Sequence, residues 1–161
     1  MQELKKIVES KMKIRFHDCD PFNHLNNSRY IDYFVTARGD QLMENYGFDI
    51  YKIAKDRGLG WVSALTQVAY LSPAYLMEEV IIQTRLIDCT GKSLLLEACM
   101  WSAGKIKLKA VMWTKLVHFN LQTQRSQPHD EAFMQFFRQI IYPLETVMDF
   151  ENRVQQLKQT K

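Results

Sequence analysis

The run Arg15-Phe16-His17-Asp18-Cys19-Asp20-Pro21-Phe22-Asn23-His24-Leu25-Asn26-Asn27-Ser28-Arg29-Tyr30 crowds acids, imidazoles and amides into a short stretch with apolar sequence on both sides. A connection between elements does not need that density of proton-transfer and hydrogen-bonding groups, and functional residues concentrate on loops held by a scaffold. Upstream, Lys11 to Phe16 alternate charged and apolar, the period of a short strand. Pro21 breaks regular structure after Asp20. Asn26 or Asn27 offers an N-cap, with Ser28 close behind.

Downstream the period turns helical from Asn27 to Tyr46. Tyr30, Phe34, Leu42 and Tyr46 share one i, i+4 line, interrupted by Arg38, and Ile31, Val35, Gly39 and Met43 share the next. Ser28, Asp32, Thr36, Asp40 and Glu44 make a third line that is wholly polar. The pattern predicts a helix apolar over a wide arc with one narrow wet edge. Gly39 costs about 1 kcal/mol inside a helix, so a second backbone is expected close to it. Gly47 suits the residue after the helix end. Asp49 to Arg57 is expected as a short extra helix before Gly58 and Gly60.

The rest of the chain alternates. Trp61 to Leu71 reads as a strand ended before Pro73, followed by strands at Val80–Ile87, Ser93–Trp101 and Ile106–Phe119. Thr90-Gly91-Lys92 and Ala103-Gly104-Lys105 are turns. On the last strand Ile106, Leu108, Ala110, Met112 and Leu116 are expected in the core, and Lys107, Lys109 and Lys115 outside. Gln122 to Asp130 is polar and turn-like. Glu131–Ile141 and Leu144–Lys158 read as helices with Pro143 between them. The expected fold class is α+β: an antiparallel sheet of about five strands covered by one long helix, with residues 1–128 forming the main domain and 129–161 a helical extension of it.

Composition bounds the function. The 161 residues are 47% hydrophobic, with 6 Gly and 4 Pro, as suits one globular domain. The formal net charge of +3 is small and scattered. It excludes a nucleic-acid protein, which shows a basic stripe, and favours an anionic partner at most. The 3 cysteines, Cys19, Cys89 and Cys99, form neither a disulfide framework nor a zinc knuckle. No run approaches a membrane span and the start leads into no apolar signal region, so a cytoplasmic protein is expected. His17, Asp18 and Asp20 do not make a metal site, because neighbours on a strand end point apart and no further ligands cluster with them.

Read from the residues alone, Asp20 is a loop acid that caps the helix or forms a turn with Pro21, and His24 is a satisfied structural histidine. Asp18 is a structural acid for loop amides, with Arg15 or Arg38 as its partner. Tyr30, Tyr33 and Phe34 are core residues at helical spacing. The lysines of the last strand, with Lys92 and Lys105, are solvated charge or contacts for phosphates. Acids on both sides of Cys19 raise its thiol pKa and argue against a thiolate nucleophile.

Asp18-x-Asp20-Pro21, then His24-Leu25-Asn26-Asn27, Tyr30 and Ala37-Arg38, resembles the hot-dog thioesterases of the 4-hydroxybenzoyl-CoA thioesterase family. The Asp-Cys-Asp-Pro run is similar to that of bacterial acyl-CoA enzymes. The spacing of Asp20, His24, Asn26 and Asn27 is similar to that of plant acyl-ACP thioesterases. Tyr70-Leu71-Ser72-Pro73-Ala74 and the Lys92-Ser93 and Gly104-Lys105 turns extend the resemblance over roughly residues 10 to 128. Two positions depart from it: Asn23 stands where the family often has Gly, and Phe22 where the plant enzymes have Asn.

The resemblance implies a hot-dog fold, a sheet wrapped around the long helix. It implies a homodimer or homotetramer with the active site between subunits, and an acyl-CoA thioesterase, with an acyl-ACP thioesterase or a non-catalytic acyl-thioester-binding module as alternatives. Asp20 is implied as general base or nucleophile, with His24 and Asn23 completing the catalytic set. Asn26, Asn27 and Tyr30 would lie against substrate. Coenzyme A or acyl carrier protein enters only as part of the substrate, and no separate cofactor is implied. Thioester hydrolysis also needs donors for the developing oxyanion, and the amides between His24 and Asn27, at the helix start, are the expected source.

Overall fold

The computed structural model describes residues 2–160. Strands β1 (Ile7–Lys13), β2 (Leu59–Tyr70), β3 (Glu79–Cys89), β4 (Ser93–Ser102) and β5 (Leu108–Asn120) form one antiparallel sheet in the order β1-β3-β4-β5-β2. A two-residue strand β6 (Arg125–Ser126) doubles back on β5. Helix α1 (Tyr30–Tyr46) lies in the curl of the sheet, α2 (Ile50–Arg57) follows it, and α3 (Glu131–Ile140) and α4 (Phe150–Gln159) close the chain. This is the hot-dog arrangement, with a long helix wrapped by an antiparallel sheet.

The reasons are local. Asn26 caps a single 3-10 turn, Asn27–Arg29, by accepting the Ser28 amide, and that turn runs straight into α1. Gly47 ends α1 at φ 63°, and its N–H bonds back to the last helical carbonyls. Asp49 caps α2 and Gly58 ends it at φ 62°. A Cβ at Gly58 would sit 3.4 Å from Cγ of Gln122. Gly58→Ala is therefore expected to cost about 1–2 kcal/mol for the left-handed backbone, read as a lower midpoint in urea. A change under 0.3 kcal/mol would show that the turn relaxes freely.

Several expectations are corrected. β1 begins at Ile7 and ends at Lys13, earlier than the alternation at Lys11–Phe16 suggested, because Phe16–Asp18 turns into a 3-10 helix. The buried stripe of α1 is Tyr30, Tyr33, Phe34, Ala37 and Gln41, while Ile31, Val35 and Met43 on the second apolar line are exposed. Tertiary placement decided which of two apolar lines faces the sheet. No backbone crowds Gly39, since a Cβ there would meet only Ile50 Cδ1 at 4.0 Å. Ile106 lies outside the strand and is 86% exposed. An irregular register between the Met100–Ala110 and Trp101–Leu108 pairs moves Leu108 into the opposite, outer layer. The last helix is shorter than its polar pattern suggested, starting at Phe150 behind the Asp149 cap.

Three apolar clusters result. Between α1 and the sheet, Phe34, Ile82, Met100 and Met112 pack with Tyr30, Tyr33 and Ala37. At the far end of α1, Phe133, Phe137 and Ile140 of α3 join Leu59, Leu86 and Leu94, with Phe48 and Trp61 against them. On the outer face, Phe150 and Val154 of α4 cover Ile87, Cys99, Val111 and Trp113. Val111 and Trp113 face outward from the sheet, and α4 of the same chain covers them. Lys109 is also not solvated charge: it is buried, pairs with Glu78 at 2.9 Å and donates to the Pro73 carbonyl.

Two histidines, His118 and His129, pack against the aromatic residues of the second cluster. His129 accepts from Trp61 Nε1 at 3.0 Å through Nε2, and its Nδ1 faces the Thr90 carbonyl at 3.1 Å. Both bonds are made by the neutral ring with its proton on Nδ1. Burial, with the nearby His118, holds its pKa below the usual 6.5 against the opposing pull of the Thr90 carbonyl and Asp130. The unfolded chain therefore binds the extra proton first, and stability falls as pH drops through 6.5. Thermal midpoints are expected to be lower at pH 5 than at pH 7. Equal midpoints would remove this histidine from the balance.

Candidate active site

The loop between β1 and α1 is tied down by its own backbone. Cys19 and Leu25 form an isolated bridge, and so do His24 and Tyr75. The Asp20 amide donates to the His24 carbonyl at 2.8 Å, Leu25 to Ala74 at 2.8 Å and Asn26 to Asp18 at 2.9 Å. Asn23 takes φ 61°, a left-handed position that Asn and Gly tolerate best. The turn therefore needs no Gly at this position. The Asn23 carbonyl accepts the Leu76 amide, and its side chain is exposed.

Asp20 is half-buried, and its carboxylate is held by one oxygen. Oδ1 accepts the amides of Phe22 at 2.9 Å and His24 at 3.1 Å. Oδ2 has no hydrogen-bond partner among the described residues. The side chain thus makes the turn that Pro21 suggested and still presents one free carboxylate oxygen. The His24 ring stands edge-on to Tyr75 at 5.1 Å between centroids, and its nitrogens have no partner among the described residues.

The amides do not all stay available. Those of His24, Leu25 and Asn26 are taken by Asp20, Ala74 and Asp18. Among the described residues, Asn27 alone in that run keeps an unpaired N–H, at the first turn of the helix. The Asn26 side-chain oxygen is committed to the Ser28 amide and hydroxyl. Asn27 is exposed, and its carbonyl accepts Tyr70 Oη at 3.0 Å. Tyr30 is buried at 2% exposure, with its ring edge-on to Tyr70 and its hydroxyl 3.4 Å from the Ala74 amide.

Asp18 braces the loop with partners other than those expected. Tyr33 donates to it at 2.7 Å, and Arg29 stands at 3.9 Å. Arg38 lies elsewhere, on Thr84. Burial first, and then the bond to Asp18, push the Tyr33 phenol up to about 12. Burial and the charges of Asp20 and Asp18 push the Cys19 thiol up, which keeps it protonated. No group of His, Cys, Asp and Glu among the described residues could hold a metal. Tyr70 and Tyr75 were missed as site residues. The only signal for them was the Tyr70-Leu71-Ser72-Pro73-Ala74 stretch that ends β2.

A cavity of about 380 Å³ lies along α1, between the helix and strands β2, β4 and β5. Val35, Gly39 and Leu42 form its helical wall, Trp61, Met112 and Leu116 its sheet wall, and Phe48, Phe137 and Ile140 its far end. Arg38, Tyr51, Ser63 and Thr114 bring polar groups to its lining. β2 passes both places, meeting Asn27 at its Tyr70 end and lining the cavity at its Gly60–Ser63 end, and no residue of the loop itself lines the cavity.

Comparison with known proteins agrees with this fold. The chain is 24% identical over 119 residues to the long-chain acyl-CoA thioesterase FadM of Escherichia coli (strain K12), covering 74% of this chain and 88% of that protein. Among solved structures, the hypothetical protein TT1821 of Thermus thermophilus superposes with a TM-score of 0.76 at 21% identity, over 84% of this chain and 98% of that one. The DHNA-CoA thioesterase of Staphylococcus aureus superposes with a TM-score of 0.74 at 16% identity, over 94% and 93%. Likenesses this distant carry the fold. The sequence profile of the Thioesterase-like superfamily matches residues 14–137, most of the chain, from the loop through α1 and strands β2 to β6 into α3, and the protein belongs to that family.

Proposed function

We propose that the protein hydrolyses acyl thioesters, most naturally acyl-CoA, with Asp20 as the base or nucleophile. One observation carries the reading: the Asp20 carboxylate is anchored through Oδ1 and leaves Oδ2 free beside the start of α1. A fixed carboxylate with one unused oxygen can orient water or attack a carbonyl carbon itself. The unpaired Asn27 amide, at the positive end of the helix, is the donor placed to receive the oxyanion. His24 and Asn23 border the same loop and belong to the catalytic set. Asn26 and Asn27 flank the thioester. Tyr30 acts from the core, as the floor on which Tyr70 and Asn27 rest. The acyl group runs along α1 into the apolar cavity.

In this reading β2 is the edge along which two subunits join into a homodimer. Its Val62 and Leu65 are exposed, at 39% and 60%, on a strand with one unpaired side. Release of free thiol from a panel of acyl-CoA substrates tests the activity, and expected turnover rises with chain length until the cavity is full. The same panel run with acyl-ACP decides the carrier. Tight binding of acyl-CoA with no thiol release at any chain length would replace the hydrolase with a binding module.

A further inference from the structure

Arg38, a lining residue of the cavity along α1, carries a positive charge that no acid of the lining neutralises. Arg38 projects from the same helix as Val35, Gly39 and Leu42 and shares their space. Its Nη1 donates to Thr84 Oγ1 at 3.0 Å. Thr84 in turn donates to Gln41, whose Nε2 is spent on Ser10 and the Ile82 carbonyl. Tyr46 is the other group near the guanidinium, and it too is neutral. Asp40 and Glu44, the next acids on the same helix, form no ion pair with it, and Asp32 pairs with Arg29. Among the described residues no carboxylate comes within 4.0 Å of Arg38.

The other buried or half-buried cations on the sheet are matched. Arg85 and Arg153 share Glu97, and Lys109 has Glu78. Arg38 is the exception, and it is the one that lines a cavity. Burial lowers its pKa to about 10, so it remains charged at neutral pH. A charge withdrawn from water without a counter-charge is costly. A ligand anion arriving in the apolar chamber would offset that cost and gain from the low local dielectric.

We propose that the cavity is an acid-binding site, taking an elongated apolar body whose anionic end seats on Arg38. Two sources have this chemistry. One is the far end of an ω-carboxyacyl thioester, an assignment that rests on the hydrolase reading above. The other is a free fatty acid, held as product or effector, which does not depend on it.

The test uses the full chain and two probes of equal length, dodecanoate and dodecanol, titrated calorimetrically, with the fluorescence of Trp61 in the cavity wall as a second readout. Dodecanoate is expected to bind at least about tenfold more tightly, the scale of one charge-assisted hydrogen bond. Arg38→Met is expected to abolish that preference and leave dodecanol binding unchanged. Equal affinities for the two probes in the unaltered protein overturn the proposal, and that comparison needs no variant to fold. Undiminished dodecanoate preference in Arg38→Met overturns it as well. The rates for dodecanedioyl-CoA and dodecanoyl-CoA then separate the sources. A higher kcat/KM for the diacid assigns Arg38 to the substrate end. Equal rates together with the dodecanoate preference assign it to a free acid. Absence of hydrolysis on both substrates removes the diacid thioester as the source and leaves the binding result standing.

Discussion

Asp20→Asn is expected to lower thioester turnover at least about a hundredfold, the usual contribution of a positioned base or nucleophile, with the fold kept. The substitution is chosen for what it preserves. Asn retains a carbonyl oxygen at the Oδ1 position, so the Phe22 and His24 amides keep their acceptor. It removes the charge and the basicity of the free oxygen. The thermal midpoint should therefore stay close to that of the unaltered protein while thiol release collapses. Asp20→Ala separates the two duties of this side chain. It leaves two loop amides without their acceptor, which costs about 1–3 kcal/mol where such groups are withheld from water, and it should lower both stability and turnover. Turnover in Asp20→Asn within a few-fold of the original would show that the carboxylate serves the turn alone.

Glu97→Ala is expected to have the largest effect on stability, about 3–5 kcal/mol, because it breaks a buried ionic cluster from its centre. Glu97 is 3% exposed, on the outer face of β4. Arg153 of α4 grips it with two bonds, Nε to Oε2 at 2.7 Å and Nη2 to Oε1 at 2.8 Å. Arg85 of β3 donates at 3.2 Å and Trp113 of β5 at 2.9 Å. Burial by itself would raise the Glu97 pKa. The bonds from Arg153 and Trp113, with the charges of Arg153 and Arg85, outweigh it and hold the group below its usual 4.5. Its contribution is thus full above the unfolded value and is lost as pH falls through the lower, folded one.

Truncating Glu97 strands two guanidiniums under α4 and frees that helix from the sheet. Urea denaturation measures the loss, and a cost below 1 kcal/mol would show that α4 is held by Phe150 and Val154 alone. Arg153→Met is the milder partner variant, since Arg85 and Trp113 still satisfy Glu97. Both variants also bear on assembly. α4 occupies the face that a back-to-back contact between sheets would need, so particle mass should rise only in chains that have lost the helix.

The site was legible to the extent that it is local. Asp20, Pro21 and His24 sit within five positions of one another, so the turn that joins them follows from neighbouring residues. The same holds for the Asn26 cap and for Gly47 and Gly58, whose left-handed backbone depends on residue type more than on distant packing. What escaped notice joins residues far apart in the chain. Tyr33 braces Asp18 and Tyr70 holds Asn27, and neither pairing leaves a trace in spacing. Arg38 read as an interruption in an apolar line and as a partner for Asp18. Its lack of a counter-charge is visible only in the folded chain, where no carboxylate among the described residues reaches it.

The sequence by itself determined the class of fold, because hydrophobic periods of two and of 3.6 residues are properties of a single element and report which faces can be buried. It also located the loop to which the proposed chemistry is assigned. The tertiary structure decided which of two apolar lines on α1 meets the sheet, that α4 and not a second subunit covers Val111 and Trp113, and that three of four candidate amides are already engaged. Each of those is a competition between partners distant in sequence, and only the folded chain sets the distances that settle it.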